Sequence, residues 1–257
     1  GSCVAAAVQA DVDLHRGCLG PLSHHGLDTQ VRHARGPIIA VTDAGTRAAP
    51  DWLERLVAAL DREPEAGVAS GFYRAAGERF FERCLSTVIT PQLPEIDPAT
   101  FLPSSRSVAF RKVWWERVGG YPEWLRHCED LVFDFALREQ GKRFAFAPDA
   151  VAHFRPRPDL RSFYVQYYRY ARGDGKADLW RKRHAIRYAT YTLGPAAAAW
   201  LWASRGTAAG KLGLLGVMAA TAAYTYKPYR RLLPMLKRLS PGQVAYALAL
   251  VPVIRLV

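Results

Sequence analysis

Short β-branched runs alternate with amphipathic stretches between residues 37 and 154, and this alternation constrains the fold more than any other feature. Residues 38–42 read Ile-Ile-Ala-Val-Thr and end in Asp43-Ala44-Gly45, and an amphipathic stretch follows from Trp52 to Leu60. Further apolar runs predict strands at 67–73, 107–110, 144–147 and 151–154, and a helix at 131–139. Strands that alternate with helices predict an α/β fold, with a mainly parallel sheet flanked by helices on both faces.

Composition supports a globular protein. Half of the 257 residues are hydrophobic and 23% are charged, which excludes a disordered or collagen-like chain. The four cysteines are scattered and form no C-x-x-C pair, which argues against a disulfide framework or a zinc ribbon.

Charged residues are distributed unevenly between the two parts of the chain. Residues 1–150 carry 17 basic and 20 acidic side chains, residues 151–257 carry 18 and 3, and no acidic side chain follows Asp178. We therefore predict three parts: a poorly readable segment at 1–36, an α/β domain at 37–178, and a basic, hydrophobic helical region at 179–257.

The last region favours contact with a membrane. Residues 188–204 and 207–226 are apolar and flanked by basic side chains, which predicts either a membrane hairpin with cytoplasmic flanks or a helical subdomain on the membrane surface. A subdomain packed on the α/β domain is a further alternative. Nucleic-acid binding through the basic charge is another, but long Ala, Leu and Trp runs suit lipid better, so no nucleic-acid partner is expected.

Asp43 is the first candidate functional residue. Ligands of open α/β sheets bind beyond the carboxyl ends of strands, where a carboxylate can hold a ribose hydroxyl or a metal. Gly45 leaves room for a phosphate near the backbone. Capping of the following loop is the alternative role for Asp43.

A pair of acids, Glu129 and Asp130, precedes the apolar run 131–133 and is predicted at a helix N-terminus, where the helix dipole favours ionised carboxylates. An ionised carboxylate that points into a cleft can accept a proton from a sugar hydroxyl. Simple N-capping would also explain the pair.

Three side chains share one face of a predicted helix at 162–171, namely Gln166, Arg169 and Tyr170. An amide, a guanidinium and an aromatic ring on one face could bind a ligand that contains both a sugar and a phosphate. An amphipathic helix at a membrane interface is the alternative.

Two further residues could contact anions or metals. His153 ends a strand and is followed by two arginines, so it could ligate a metal or touch a diphosphate, or be a core histidine. Arg106, just before the strand at 107–110, is a candidate for anion contact.

The order of these elements resembles the family 2 glycosyltransferases. The resemblance covers about residues 36–178, and the string from Phe101-Leu102-Pro103 through Gly119-Gly120-Tyr121-Pro122 to Gln166–Tyr170 is its most specific part. It implies a GT-A fold that binds a nucleotide-sugar. The family's opening strand and Pro-Thr-Tyr-Asn-like turn are not found in residues 1–36, so the resemblance implies a remnant of the nucleotide-binding half and a chain truncated at its N-terminus.

The resemblance also implies roles for single residues. Asp43 matches the first Asp of the D-x-D motif that holds donor ribose and a divalent metal, Mg²⁺ or Mn²⁺, and Gly45 replaces the second Asp. Asp130 matches the inverting catalytic base. Gln166, Arg169 and Tyr170 fit the family's Q-x-x-R-W helix, with Tyr in place of Trp, which implies acceptor binding by Gln166 and Tyr170 and diphosphate binding by Arg169. From the residues themselves we further predict donor diphosphate binding by Arg106, acceptor binding by Glu129, and metal binding by Asp43 with His153.

The expected function is inverting sugar transfer from a nucleotide-diphospho-sugar to a hydroxyl of a glycan or lipid-linked acceptor. The alternative is a catalytically impaired, truncated transferase that acts as a membrane-associated binding protein. The expected location is the membrane, with the catalytic domain cytoplasmic, as at a bacterial inner membrane.

Overall fold

The computed structural model describes residues 2–7 and 25–257, with side chains from Asp28 onward. The strands are β1 (Ser2–Ala7), β2 (Ile38–Asp43), β3 (Thr46–Ala48), β4 (Ala66–Ala75), β5 (Val108–Arg111) and β6 (Arg143–Phe154). The helices are α1 (His25–His33), α2 (Trp52–Arg62), α3 (Phe80–Ile89), α4 (Lys112–Val118), α5 (Glu129–Glu139), α6 (Leu160–Lys176), α7 (Arg181–Ala203), α8 (Ala208–Leu236) and α9 (Pro241–Leu256).

The chain divides into two compact units. The first comprises Gly1–Ser86 and Thr90–Gly173, and the second comprises Thr87–Ile89 and Asp174–Val257. The prediction that residues 1–36 are a remnant of a nucleotide-binding half falls partly on residues 8–24, which lie outside the described residues.

The first unit contains one six-stranded sheet with the order β1-β2-β5-β4-β6-β3. Among these described strands, only β4 and β6 pair in parallel, and the other four pairings are antiparallel. The fold is α/β with helices against the sheet, but the prediction of a mainly parallel sheet is wrong because the sheet is mixed.

The direction of β5 explains the difference. A parallel neighbour requires a crossover that returns the chain to the same edge of the sheet, as α2 does between β2 and β4. After α3, residues 90–107 contain little regular structure and lead directly into β5. As a result β5 runs antiparallel to both of its neighbours, β2 and β4.

Side-chain alternation along β2 anchors this strand between two apolar layers. Ile38 and Ala40 pack with Leu56 of α2 on one face, whereas Ile39 and Val41 belong to the cluster on the other face. That second cluster is rich in aromatic residues, namely Phe110, Trp115, Tyr121 and Phe133. Because both faces of β2 are buried, the end of the strand has a fixed position.

The turn Gly119-Gly120 positions α5 on that second face. Both glycines have φ near +80°, a left-handed conformation that disfavours other residues. A side chain at Gly120 would also place its Cβ 2.4 Å from Asp28 Oδ1, the atom that accepts a hydrogen bond from the Tyr121 N–H at 3.1 Å. The Tyr121 ring then packs 4.5 Å from the ring of Phe133 in α5.

The second unit is helical, as the sequence predicts for residues 179–257. The helix predicted at 162–171 is longer in the structure, because α6 continues through Gly173-Asp174-Gly175 to Lys176. Asp174 is buried there and accepts a hydrogen bond from Arg183 Nη2 at 2.9 Å. Within the described chain, none of the helices combines the length and apolar character needed to cross a bilayer.

Candidate active site

Asp43 lies at the end of β2, where its side chain keeps about a third of its surface exposed. The preceding residue, Thr42, donates a hydrogen bond from Oγ1 to the main-chain oxygen of Arg106 at 2.9 Å. This bond ties the end of β2 to the segment that leads into β5. The Asp43 carboxylate and the Arg106 side chain are therefore held at the same end of the sheet.

Arg106 is the basic group of the site. Its Nε lies 3.9 Å from Asp43 Oδ2, and its Nη1 donates to Ser104 Oγ at 3.1 Å. The guanidinium carbon lies 4.6 Å from the ring centre of Phe154 and 5.4 Å from that of Tyr73. These rings attract the cation and hold it in a mostly buried position, next to the carboxylate.

Tyr170 of α6 also reaches this guanidinium. Burial lowers the pKa of Arg106, but the interactions with Tyr170, Asp43 and Tyr73 outweigh it and leave the pKa above its ordinary value. The guanidinium is therefore fully charged, as arginine is in proteins generally.

Asp130 occupies the first turn of α5. Its Oδ1 accepts a hydrogen bond from the Leu131 N–H at 3.0 Å, and its Oδ2 accepts one from Ser105 Oγ at 3.4 Å. Burial raises the pKa of Asp130, the negative charge of Asp43 raises it further, and Arg106 opposes the shift. The mutual influence of these charges means that Asp43, Arg106 and Asp130 belong to one site.

Glu129 adds a third carboxyl group. Burial raises its pKa to about 7, with a further contribution from the charge of Asp130 and a smaller one from Asp43. The hydrogen bonds from Leu131 and Ser105 favour the ionised form of Asp130. When two neighbouring acids have different environments, one of them can carry the proton while the other is ionised.

Helix α6 brings two of its three predicted residues together. Gln166 Nε2 donates to the Tyr170 hydroxyl at 2.7 Å, and Arg157 Nε donates to Gln166 Oε1 at 3.0 Å. The Tyr170 carbonyl accepts a hydrogen bond from Cys128 Sγ at 3.5 Å, directly before Glu129. Arg169 is exposed, and no described contact joins it to the acids of the site.

The predicted metal ligands are less closely associated. In β6, His153 pairs with Arg47 of β3. No described contact joins it to Asp43. In the part of the chain that the structure describes, no three or more His, Cys, Asp or Glu side chains form a group that could hold a metal ion. Asp43 contributes one carboxylate and Gly45 none, so these residues do not fit a metal held by the protein alone.

Tyr73, Phe154 and Ser105 are components of the site that the sequence did not single out. Tyr73 and Phe154 belong to β4 and β6, and their rings meet edge to face at 5.9 Å. The position of Tyr73 in a predicted strand at 67–73 was the available signal. Its nearness to Arg106 depends on the strand order, which periodicity does not reveal.

Comparison with known proteins decides the family. A sequence model described as glycosyl transferase family group 2 matches residues 38–236, more than three quarters of the chain. The chain belongs to this family. No curated protein matches it.

The fold of this family 2 glycosyltransferase is similar to a solved structure, the mannosyltransferase PcManGT from Pyrobaculum calidifontis in complex with GDP-Man and Mn²⁺. The TM-score is 0.52 at 22% sequence identity, over 90% of this chain and 66% of the other. At this identity the likeness concerns the fold. The chain spans about two thirds of the length of that mannosyltransferase.

Proposed function

We propose that the chain transfers a sugar, with inversion at C1, from a nucleotide-diphospho-sugar to a hydroxyl of a glycan or lipid-linked acceptor. The observation that carries the proposal is the grouping of Asp43, Arg106 and Asp130, in which the charge of one carboxylate shifts the pKa of the other. Family membership supports a transferase, and the GDP-Man of the structural neighbour supports a nucleotide-sugar donor.

In the proposed reaction, Asp130 is the general base. The acceptor oxygen attacks C1 of the donor sugar while the bond from C1 to the diphosphate oxygen breaks, so that the nucleoside diphosphate leaves from the opposite face. The hydroxyl proton passes to Asp130, which must be ionised beforehand. Positioned general bases of this kind contribute about 10²- to 10⁴-fold in rate.

Arg106 is assigned to the donor. Negative charge accumulates on the diphosphate as it departs, and a fixed guanidinium in a mostly buried position stabilises that charge without reorganising. Asp43, whose carboxylate neighbours the guanidinium, is assigned to the donor ribose. Arg169 remains a predicted diphosphate ligand.

A divalent cation is supported by the Mn²⁺ in the neighbour's complex. Asp43, and His153 by prediction, are the residues of this chain that would hold it, and the donor phosphates and water would supply the remaining ligands. When bound, such an ion offers positive charge to the diphosphate.

The acceptor is assigned to Glu129, Gln166 and Tyr170. The Gln166 amide and the Tyr170 hydroxyl are already joined by a hydrogen bond, which fixes a polar pair on α6. The Cys128–Tyr170 hydrogen bond links this pair to the segment that carries Asp130. An acceptor hydroxyl held by the pair would therefore approach the general base.

The test is the variant Asp130→Asn, with Asp149→Asn as the matched control because the Asp149 side chain is 77% exposed and its described ion-pair partner is Arg55 of α2. Transfer is measured with a donor panel that begins with GDP-mannose, and nucleotide binding is measured by calorimetry. We expect Asp130→Asn to lose about 10²-fold or more in turnover and to keep nucleotide binding, while the control keeps both. Transfer by Asp130→Asn near the unmodified rate would refute the assignment. Nucleotide binding by the unmodified chain without transfer would favour the impaired, binding-protein alternative.

A further inference from the structure

Ser107 is a buried polar residue that the proposed mechanism does not use. It lies directly before β5 and has no exposed surface. Its hydroxyl accepts a hydrogen bond from Trp52 Nε1 of α2 at 2.8 Å and donates one to the Ala150 carbonyl of β6 at 2.8 Å. Because a hydroxyl has a single hydrogen to donate, these two bonds together fix the orientation of the side chain.

The sheet is shaped to accept this hydroxyl. The pairing of β4 with β6 shifts in register between Gly71 and Phe72, and residues 148–150 of β6 lie in this shift. Gly71 leaves the space that the contact needs, because a Cβ at this position would overlap Ser107 Oγ and lie 2.7 Å from the Ala150 oxygen. The Gly71 N–H also donates to the Ser107 carbonyl at 2.9 Å. Helix α2 and strands β4 and β6 therefore all hold Ser107.

The main chain of Ser107 closes a tight turn. Its N–H donates to the Ser104 carbonyl at 2.8 Å, so that Ser105 and Arg106 are the two central residues of a β-turn. From this turn, Arg106 extends towards the carboxylate at the end of β2, and Ser105 Oγ donates to Asp130 Oδ2 at 3.4 Å. The turn therefore carries both the group assigned to the diphosphate and a hydrogen-bond donor to the general base.

We propose that Ser107 is a positioning residue that fixes the 104–107 turn, and with it Ser105 and Arg106, in the geometry that transfer requires. The proposal rests on the proposed function, because it uses the donor role of Arg106 and the base role of Asp130. Ser107 is fully buried, so it acts through its neighbours and not by contact with a substrate. Its anchoring in the core restricts the turn before the donor binds, and preorganised groups stabilise developing charge without having to move.

The experiment compares Ser107→Ala with two variants of the turn itself. Transfer kinetics are measured, and binding of GDP and UDP is measured by calorimetry, with the tighter of the two used throughout. Arg106→Gln should weaken nucleotide binding by about tenfold or more, because it removes a charged hydrogen-bond donor. Ser105→Ala should lower kcat by about fivefold and leave the dissociation constant of the nucleotide unchanged, because it removes one hydrogen bond to the base.

Ser107→Ala should combine the two effects, since it releases both central residues of the turn. We expect the dissociation constant of the nucleotide to rise by about five- to tenfold and kcat to fall by a similar factor. An effect on only one of the two constants would contradict the proposal.

The stoichiometry of binding separates positioning from a loss of folded protein. If Ser107→Ala only unfolded part of the sample, fewer nucleotides would bind per chain and the dissociation constant would not change. That result would refute the proposal. The control is Ser86→Ala, which removes another buried hydroxyl, one that donates to the Arg83 carbonyl in α3 at 2.9 Å. It should keep both constants.

A double-mutant cycle tests whether Ser107 acts on the nucleotide through Arg106. Added to Arg106→Gln, Ser107→Ala should weaken nucleotide binding by less than about twofold more, because the group that it positions is already absent. A further loss as large as in the unmodified background would overturn the proposal.

Trp52→Phe is the second variant, and it decides the question if Ser107→Ala does not fold. It keeps the bond from Ser107 to Ala150 and should change both constants in the same direction by about two- to fivefold. Unchanged constants in this variant, in a background that binds nucleotide and transfers sugar, would refute the positioning role alone. An unmodified chain that binds neither nucleotide would remove the donor role of Arg106 and so refute the proposed function together with this proposal.

Discussion

Gly173 is the residue at which α6 approaches the segment that leads into Glu129 and Asp130. A Cβ built at this position would lie 2.5 Å from the carbonyl oxygen of His127 and 3.1 Å from Cys128 Sγ. Ordinary contacts begin at 3.4 Å, so the substitution Gly173→Ala must separate α6 from the 127–128 backbone by about 0.9 Å. The 127–128 segment leads directly into Glu129 and Asp130.

The magnitude follows from this displacement. Shifts of about 1 Å between reacting groups can cost about 10²-fold in rate, so Gly173→Ala should lower kcat by about 10- to 100-fold. Nucleotide affinity should change less than kcat, because Thr42 and Ser104 hold the end of β2 and the Arg106 side chain in addition to the contact from Tyr170 of α6. The effect should therefore be mainly on kcat and on acceptor KM, and the dissociation constant of the nucleotide should change less.

The same helix contains a matched control. Nothing lies within 4 Å of a Cβ built on Gly175, and Gly→Ala in a helix is usually stabilising by about 0.5–1 kcal/mol. Transfer kinetics and thermal unfolding are measured for both variants, with nucleotide binding by calorimetry. The reasoning is refuted if Gly173→Ala turns over as fast as Gly175→Ala, or if its loss of activity only follows a loss of folded protein.

Three further outcomes are expected. Asp43→Asn removes a charge that raises the pKa of Asp130, so the acidic limb of the pH profile of kcat/KM should move to lower pH; an upward move would contradict the electrostatics. Mn²⁺, followed by electron paramagnetic resonance, should bind the chain with GDP present and stay free without it; tight binding without nucleotide would contradict the ligand count. Trp52→Phe should lower the free energy of unfolding by about 1–3 kcal/mol, because it removes the buried hydrogen bond from Trp52 Nε1 to Ser107 Oγ at 2.8 Å; urea unfolding with no change would contradict this.

The sequence predicts the acids of the site better than their surroundings. Asp43 follows a β-branched run that is buried on both faces, and Asp130 begins an amphipathic helix, so both positions follow from local periodicity. Strands β2, β4 and β5 were also predicted within a few residues, but the prediction of two strands at 144–147 and 151–154 is wrong because β6 is continuous from Arg143 to Phe154. These features are local, and the order of residue types along a short segment is enough to predict them.

Features that depend on contacts between distant parts of the chain could not be predicted from such local patterns. The antiparallel direction of β5 depends on the path of residues 90–107, which have no strong periodicity. The cluster of Tyr73 and Phe154 around Arg106 depends in turn on which strands are neighbours. The close approach of Gly173 to the 127–128 backbone could not be predicted either, because a glycine in a helix indicates a break as readily as a close contact.

The charge balance of the site connects the acids to the donor. Among the described residues assigned to the site, Asp43, Glu129 and Asp130 are carboxyl groups and Arg106 carries an opposing charge, and a diphosphate would bring further negative charge. Since the pKa of Glu129 is about 7, this group can be neutral near physiological pH, whereas hydrogen bonds from Leu131 and Ser105 and the charge of Arg106 oppose the rise in the pKa of Asp130. A proton on Glu129 and a cation that arrives with the nucleotide would both reduce the repulsion. The same balance explains why Mn²⁺ is expected to bind with the nucleotide and not before it, because only the complex offers enough oxygen ligands and negative charge.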